Sequence, residues 1–130
     1  MKKLVVCALC AAMVIPAMSV SVSADSKELV LYTWENMFPQ EVLDGFEKET
    51  GIKVVYSNFD TDENMLEKLS MAKGGDYDVV VADDYIIQTA IEEGLVEKLD
   101  TSKLSGWDNI NPLYQGQFYD PNDEYTAPYG

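Results

Sequence analysis

Three short stretches of the sequence set an aromatic ring beside a carboxylate or an amide: Thr33-Trp34-Glu35-Asn36-Met37-Phe38, Ser57-Asn58-Phe59-Asp60 and Ala82-Asp83-Asp84-Tyr85. A ring face attracts a cation by about 0.5–2 kcal/mol through its quadrupole. A carboxylate ~4 Å from an ammonium adds up to ~4 kcal/mol before desolvation is charged against it. These residue types therefore suit non-covalent capture of an amine. They suit catalysis poorly. The chain has no His, which removes the commonest neutral-pH general base and the commonest metal ligand. Asp83 and Asp84 are adjacent, so they point in different directions and do not form the spaced pair that carboxylate acid/base chemistry needs. No enzyme activity, cofactor or metal is expected.

Each candidate also has a purely structural reading. Trp34 can fold back onto its own strand, Tyr85 can pack under a helix, and Glu35 can be a solvated loop charge. One of Asp83 and Asp84 should cap the helix that follows. Asp84 is assigned to the cap, which leaves Asp83 for ligand. Asp60, Asp62 and Glu63 invite a calcium reading, but the EF-hand loop needs more ligands and a glycine, and helix capping by Asp60 with Glu63 is favoured. Asp120-Pro121-Asn122-Asp123 reads as a turn.

Apolar runs at residues 29–32, 52–56 and 79–81 read as strands buried on both faces, as in parallel sheets. Amphipathic stretches between and after them predict helices over 39–50, 62–73 and 85–93. Val42, Leu43 and Phe46 form the apolar face of the first, Met65, Leu66, Leu69 and Ala72 that of the second, and Ile87 and Ile91 that of the third. Gly51, Gly74-Gly75 and Gly94 stop them. The order β-α-β-α-β-α gives an α/β unit with parallel strands and right-handed crossovers. Such sheets bind ligands beyond the carboxyl ends of their strands. If the first strand is central, Trp34, Glu35, Asp83 and Tyr85 meet at one rim. Residues 99–121 read as loop with short helical pieces, and residues 124–129 as one more strand.

The chain has 130 residues, room for one ordinary domain. Its 23 acidic side chains face only nine basic ones, all Lys, for a net charge of −14. That balance excludes nucleic acid and anionic membranes as partners, since both need clustered Lys or Arg. Residues 1–24 follow the plan of a secretory signal peptide: Lys2 and Lys3, an apolar core, then small residues ending in Val22-Ser23-Ala24. Cys7 and Cys10 lie in that leader, and neither follows Gly or Ala, so no lipoprotein cleavage box is apparent. The exported remainder has no cysteine and must be held by a core rather than by disulfides. It carries seven lysines, for a net charge of −16.

The segment LYTWENMFPQEVLDGFEKETGIKVVYSNFDTDENMLEKL, followed by GGDYDVVVADDYII, LDTSKL and PNDEYTAPYG, resembles the spermidine/putrescine-binding proteins of bacterial ABC importers. The resemblance implies part of one lobe of the two-lobed type II solute-binding fold, with residues 25–130 as its N-terminal portion. A truncated reading frame or a fragment is the expectation, and a complete small secreted domain the alternative. The resemblance further implies a polyamine or other small cationic ligand, a membrane permease as partner, a monomer, and a place in the periplasm or on the outer face of the cytoplasmic membrane. Trp34 would lie against the polyamine's methylene chain and Tyr85 would stand beside it. Asp83 replaces a serine frequent in that family, and Met37 a tyrosine. The competing class is a secreted acidic interaction module holding a protein or divalent cations.

Overall fold

A computed structural model describes residues 27–129. The leader at residues 1–24 lies outside the described residues. Strand β1 (Glu28–Trp34), helix α1 (Gln40–Thr50), strand β2 (Lys53–Phe59), helix α2 (Asp62–Met71), strand β3 (Val79–Val80) and helix α3 (Asp84–Glu92) follow in the expected order. The sheet order is β2-β1-β3 with both pairings parallel. The first strand is therefore central. Its register sets Trp34 opposite Phe59 on one side and Tyr32 opposite Val80 on the other. Short 3-10 turns at Thr101–Lys103, Trp107–Asn109 and Pro112–Tyr114 make up the helical pieces of the long C-terminal loop.

Burial on both faces holds for β1, where Leu31, Tyr32 and Thr33 are buried in succession. It fails for the flanking strands. Most of β2 is half-buried, and Val79 of β3 is exposed. Only a strand flanked on both sides has covered edges as well as covered faces. Helix α1 likewise buries none of its residues, and Val42 and Phe46 stay exposed. It packs along the edge strand β2.

The core sits between the sheet and helices α2 and α3. Tyr32, Phe59, Met65, Leu69, Ile86 and Ala90 form it. The Tyr32 ring stacks on Tyr77 at 4.1 Å and meets Phe59 edge-on at 5.0 Å, the arrangements that aromatic quadrupoles favour. The buried face of α3 is Ile86 and Ala90 rather than the expected Ile87 and Ile91. Both pairs are four apart, and the pattern alone does not separate them. The fully buried Ala90 fits where the two helices meet.

Three local expectations are corrected. The cap of α2 is Thr61, whose hydroxyl accepts the Asn64 N–H at 3.3 Å, rather than Asp60. The N-cap position of α3 is Asp83 rather than Asp84, and it makes no side-chain capping bond. Residues 124–129 form no strand. What organises that tail is Asp120, which is buried and accepts the N–H groups of Glu124 (3.0 Å), Tyr125 (2.8 Å) and Thr126 (2.9 Å) and the Thr126 hydroxyl (3.0 Å). Side-chain bonding of this kind gives the backbone an alternative to a ladder. The close turn after α2 needs Gly74, which has φ +75 and would drive a Cβ to 2.7 Å from the Leu95 carbonyl oxygen.

Burial acts to raise the Asp120 carboxyl, but the hydrogen bonds it accepts outweigh burial and hold it below its ordinary value of 3.8. A depressed folded value means stability that is complete above the unfolded value and lost as pH falls below it. Asp120→Ala should therefore lower stability at neutral pH by about 1–3 kcal/mol, the cost of a buried donor left unpaired. The gap from the native chain should narrow in acid. Urea midpoints measured across that range check both.

Candidate functional site at the carboxyl ends of the strands

Residues Trp34, Met37, Asp83 and Asp84 line one open groove of about 930 Å³ beyond and beside strand β3. Trp34 is the last residue of β1. Its ring is half-buried and lies 5.1 Å from Phe59, its register partner on β2. The strand thus carries Trp34 to the rim and Phe59 supports the ring from below. The apolar run expected at 52–56 extends further, and Ser57, Asn58 and Phe59 are the last residues of β2.

The chain leaves β1 through a turn in which Asn36 takes the left-handed conformation (φ 60), which Asn tolerates better than most side chains. Tyr56 fixes this turn. Its hydroxyl donates to the Trp34 carbonyl at 2.8 Å and accepts the Met37 N–H at 3.1 Å. Residues 34–37 are thereby tied to β2 as well as to β1. Nothing in the composition singles out Tyr56; only the register places its hydroxyl there.

The structure brings together some of the predicted residues and separates others. Trp34, Met37 and Asp83 share the groove. Glu35 is exposed and does not line it. Tyr85 does not line it either; the residue is about half exposed, and its phenol turns to the start of α2, donating to Asp62 Oδ2 (3.2 Å) and Glu63 Oε1 (3.3 Å). Desolvation first, and then the charges of Asp62 and Glu63, push that phenol up to about 12. The long C-terminal loop closes another side of the groove with Tyr114, Tyr119, Tyr125 and Tyr129, residues the sequence did not mark. Tyr129 meets Phe38 with ring centroids 5.3 Å apart. Burial and then the charges of Asp84, Asp120 and Asp123 raise the Tyr119 phenol. Lys98, also on the wall, is occupied by Glu124 at 2.9 Å.

The groove thus offers aromatic faces, a thioether and carboxylates. Among the described residues, no group of three His, Cys, Asp or Glu could hold a metal ion. No helix there is long and apolar enough to cross a membrane.

The family model for bacterial extracellular solute-binding proteins matches residues 26–130. The chain belongs to that family. This solute-binding protein is 39% identical over 112 residues to a spermidine/putrescine-binding periplasmic protein of Salmonella typhimurium, covering 86% of this chain and 32% of the relative. It is 40% identical over 109 residues to a putrescine-binding periplasmic protein of Pseudomonas aeruginosa, covering 82% and 29%. A solved spermidine/putrescine ABC transporter structure from Listeria monocytogenes superimposes with a TM-score of 0.75 at 36% identity, over 80% of this chain and 32% of that one. The chain spans about a third of the length of these relatives. The parallel α/β sheet is the one expected, and family membership places the chain among solute-binding proteins rather than enzymes.

A half-buried Trp34 at an open groove should be reachable by a soluble quencher. In a Trp107→Phe background its fluorescence should be quenched more readily than that of a core tryptophan. A blue-shifted, protected emission would place the ring in the core and remove the aromatic platform.

Proposed function

We propose that this chain contributes one wall of the ligand cleft of a receptor that captures a polyamine such as spermidine or putrescine outside the cytoplasm and delivers it to the permease of an ABC importer. The observation that carries the reading is the meeting of Trp34 and Asp83 on one groove at the carboxyl ends of a parallel sheet. An aromatic face and a carboxylate are what an aliphatic ammonium needs. The Salmonella and Pseudomonas relatives, both named as polyamine-binding and periplasmic, support the ligand class and an exported location. The leader-like residues 1–24 support export from the sequence side. Trp34, Asp83 and Met37 are the assigned ligand-facing residues. Glu35 and Tyr85 belong at the margin, with the Tyr85 hydroxyl engaged by Asp62 and Glu63.

One wall is not a binding site for a flexible diamine. Ordering such a ligand costs ~0.5–1.5 kcal/mol per immobilised group in addition to the association entropy. The chain alone should therefore show only weak, salt-sensitive polyamine binding. Saturable one-to-one binding at micromolar spermidine in physiological salt would contradict that expectation. The reading itself is tested by a chimera in which residues 25–130 replace the corresponding N-terminal third of the Salmonella relative. Calorimetry should show spermidine or putrescine binding and no uptake of neutral amino acids. Asp83→Ser in the chimera should weaken the polyamine ten- to a hundredfold, as the loss of a charge-assisted bond worth ~1.5–3 kcal/mol implies. A folded chimera indifferent to Asp83→Ser would remove the carboxylate from the site.

A further inference from the structure

Lys98 follows helix α3 and meets Glu124, 26 positions later. The Leu99 N–H donates to the Glu124 carbonyl at 2.7 Å and joins the two segments. The buried Asp120 carboxylate accepts the N–H groups of Glu124 and Tyr125. A carboxylate and a ring are thus presented by two consecutive residues on backbone that is held from two directions. The Lys98 ammonium occupies both. Its Nζ lies 2.9 Å from Glu124 Oε1 and 5.5 Å from the centroid of the Tyr125 ring, inside the ~6 Å at which a ring face attracts a cation. The other two ion pairs among the described residues, Lys53 with Glu28 and Lys103 with Asp100, have no ring against the ammonium. Glu124 first, and then Tyr125 and Asp120, push the Lys98 ammonium up against the desolvation that would lower it. Lys98 and Tyr125 both line the groove that carries Trp34 and Asp83.

The Lys98 side chain ends in an ammonium on a four-carbon stem. A primary aliphatic amine offers the same group. We infer that Glu124 and Tyr125 form a second ammonium position on the groove, one that the chain's own Lys98 fills and that a primary aliphatic amine takes by displacing it. The exchange swaps like for like. Glu124 and Tyr125 receive the incoming ammonium, and Lys98 returns to water, so no buried charge is left unpaired. Its departure is easy, because 59% of the Lys98 side chain is already exposed and an exposed ion pair contributes little. Lys98 is therefore a tethered competitor that sets how much amine the position needs. For a ligand with several ammonium groups, the position adds to the one at Trp34 and Asp83. Its use in capturing a polyamine rests on the reading above; the exchange at Tyr125 does not.

The probe is n-butylammonium chloride, titrated at physiological salt into the full chain and followed by two-dimensional NMR at the Tyr125 ring and the Glu124 side chain. In Lys98→Gln these signals should shift saturably at roughly tenfold less amine than in the native chain, because ring and carboxylate are no longer contested. Lys103→Gln removes the same charge from an ion pair that has no ring, and should titrate at Tyr125 like the native chain. Both lysines are exposed, so both variants should keep the folded spectrum. Adding Tyr125→Leu to Lys98→Gln should weaken the amine by roughly two- to thirtyfold, read at Glu124, the range of a ring–cation contact. Equal titration of Lys98→Gln and Lys103→Gln would reduce the effect to net charge and overturn the inference. So would a folded Lys98→Gln chain with no saturable shift at Glu124 or Tyr125. Trp34 and Asp83 enter neither readout, so failure here is separable from failure of the polyamine reading.

Discussion

Strand β1 is hydrogen-bonded on both sides, and the residues proposed to face ligand are placed from its carboxyl end. Parallel pairing with β2 and β3 buries Leu31, Tyr32 and Thr33 completely enough that the strand cannot slide by one residue. Such a slip would turn Tyr32 out of its contacts with Tyr77 and Phe59. Fixed register then delivers Trp34 to the rim opposite Phe59. It also brings the Tyr56 hydroxyl under the turn that follows. The rim is thus a consequence of packing several residues away rather than of any local preference of its own sequence.

The electrostatics follow the same division of labour. The chain has an excess of carboxylates, 23 against nine lysines, and these set a diffuse attraction for cations that salt screens over about 8 Å at 0.15 M. Carboxylates that the fold has taken out of water behave differently. Asp120 is satisfied by backbone donors and orders the tail that closes the groove. Asp62 is buried and lacks a donor for one oxygen. The first holds structure together as an anion.

The element order was legible in the sequence, because unbroken apolar runs alternating with 3.6-residue patterns leave few alternatives; the central place of β1 entered only as a condition and is set by the pairing. The stop at Gly51 was legible for a local reason, a left-handed residue ending α1. What was not legible depended on contacts between segments. Thr61 and Asp60 are both capping residues by type, Asp if anything the better, and only geometry chose Thr61. Asp83 and Asp84 are the same residue type side by side, and residue type alone does not say which of them begins α3. Tyr85 looked like a groove residue because it follows the third strand, yet Asp62, 23 positions earlier, captures its hydroxyl. The tail at 124–129 looked like a strand by composition, and Asp120 diverts its backbone N–H groups instead.

The central claim is that cation recognition is localised at the end of β1 rather than spread over an acidic surface. The most direct measurement is a two-dimensional NMR titration of the chain with millimolar spermidine, repeated at low and at physiological salt. The account predicts that shifts on the general surface fade with salt, while those of the Trp34 indole, the Met37 methyl and the Asp83 amide persist. Shifts that vanish uniformly with salt, or that persist elsewhere and spare those three residues, would contradict it.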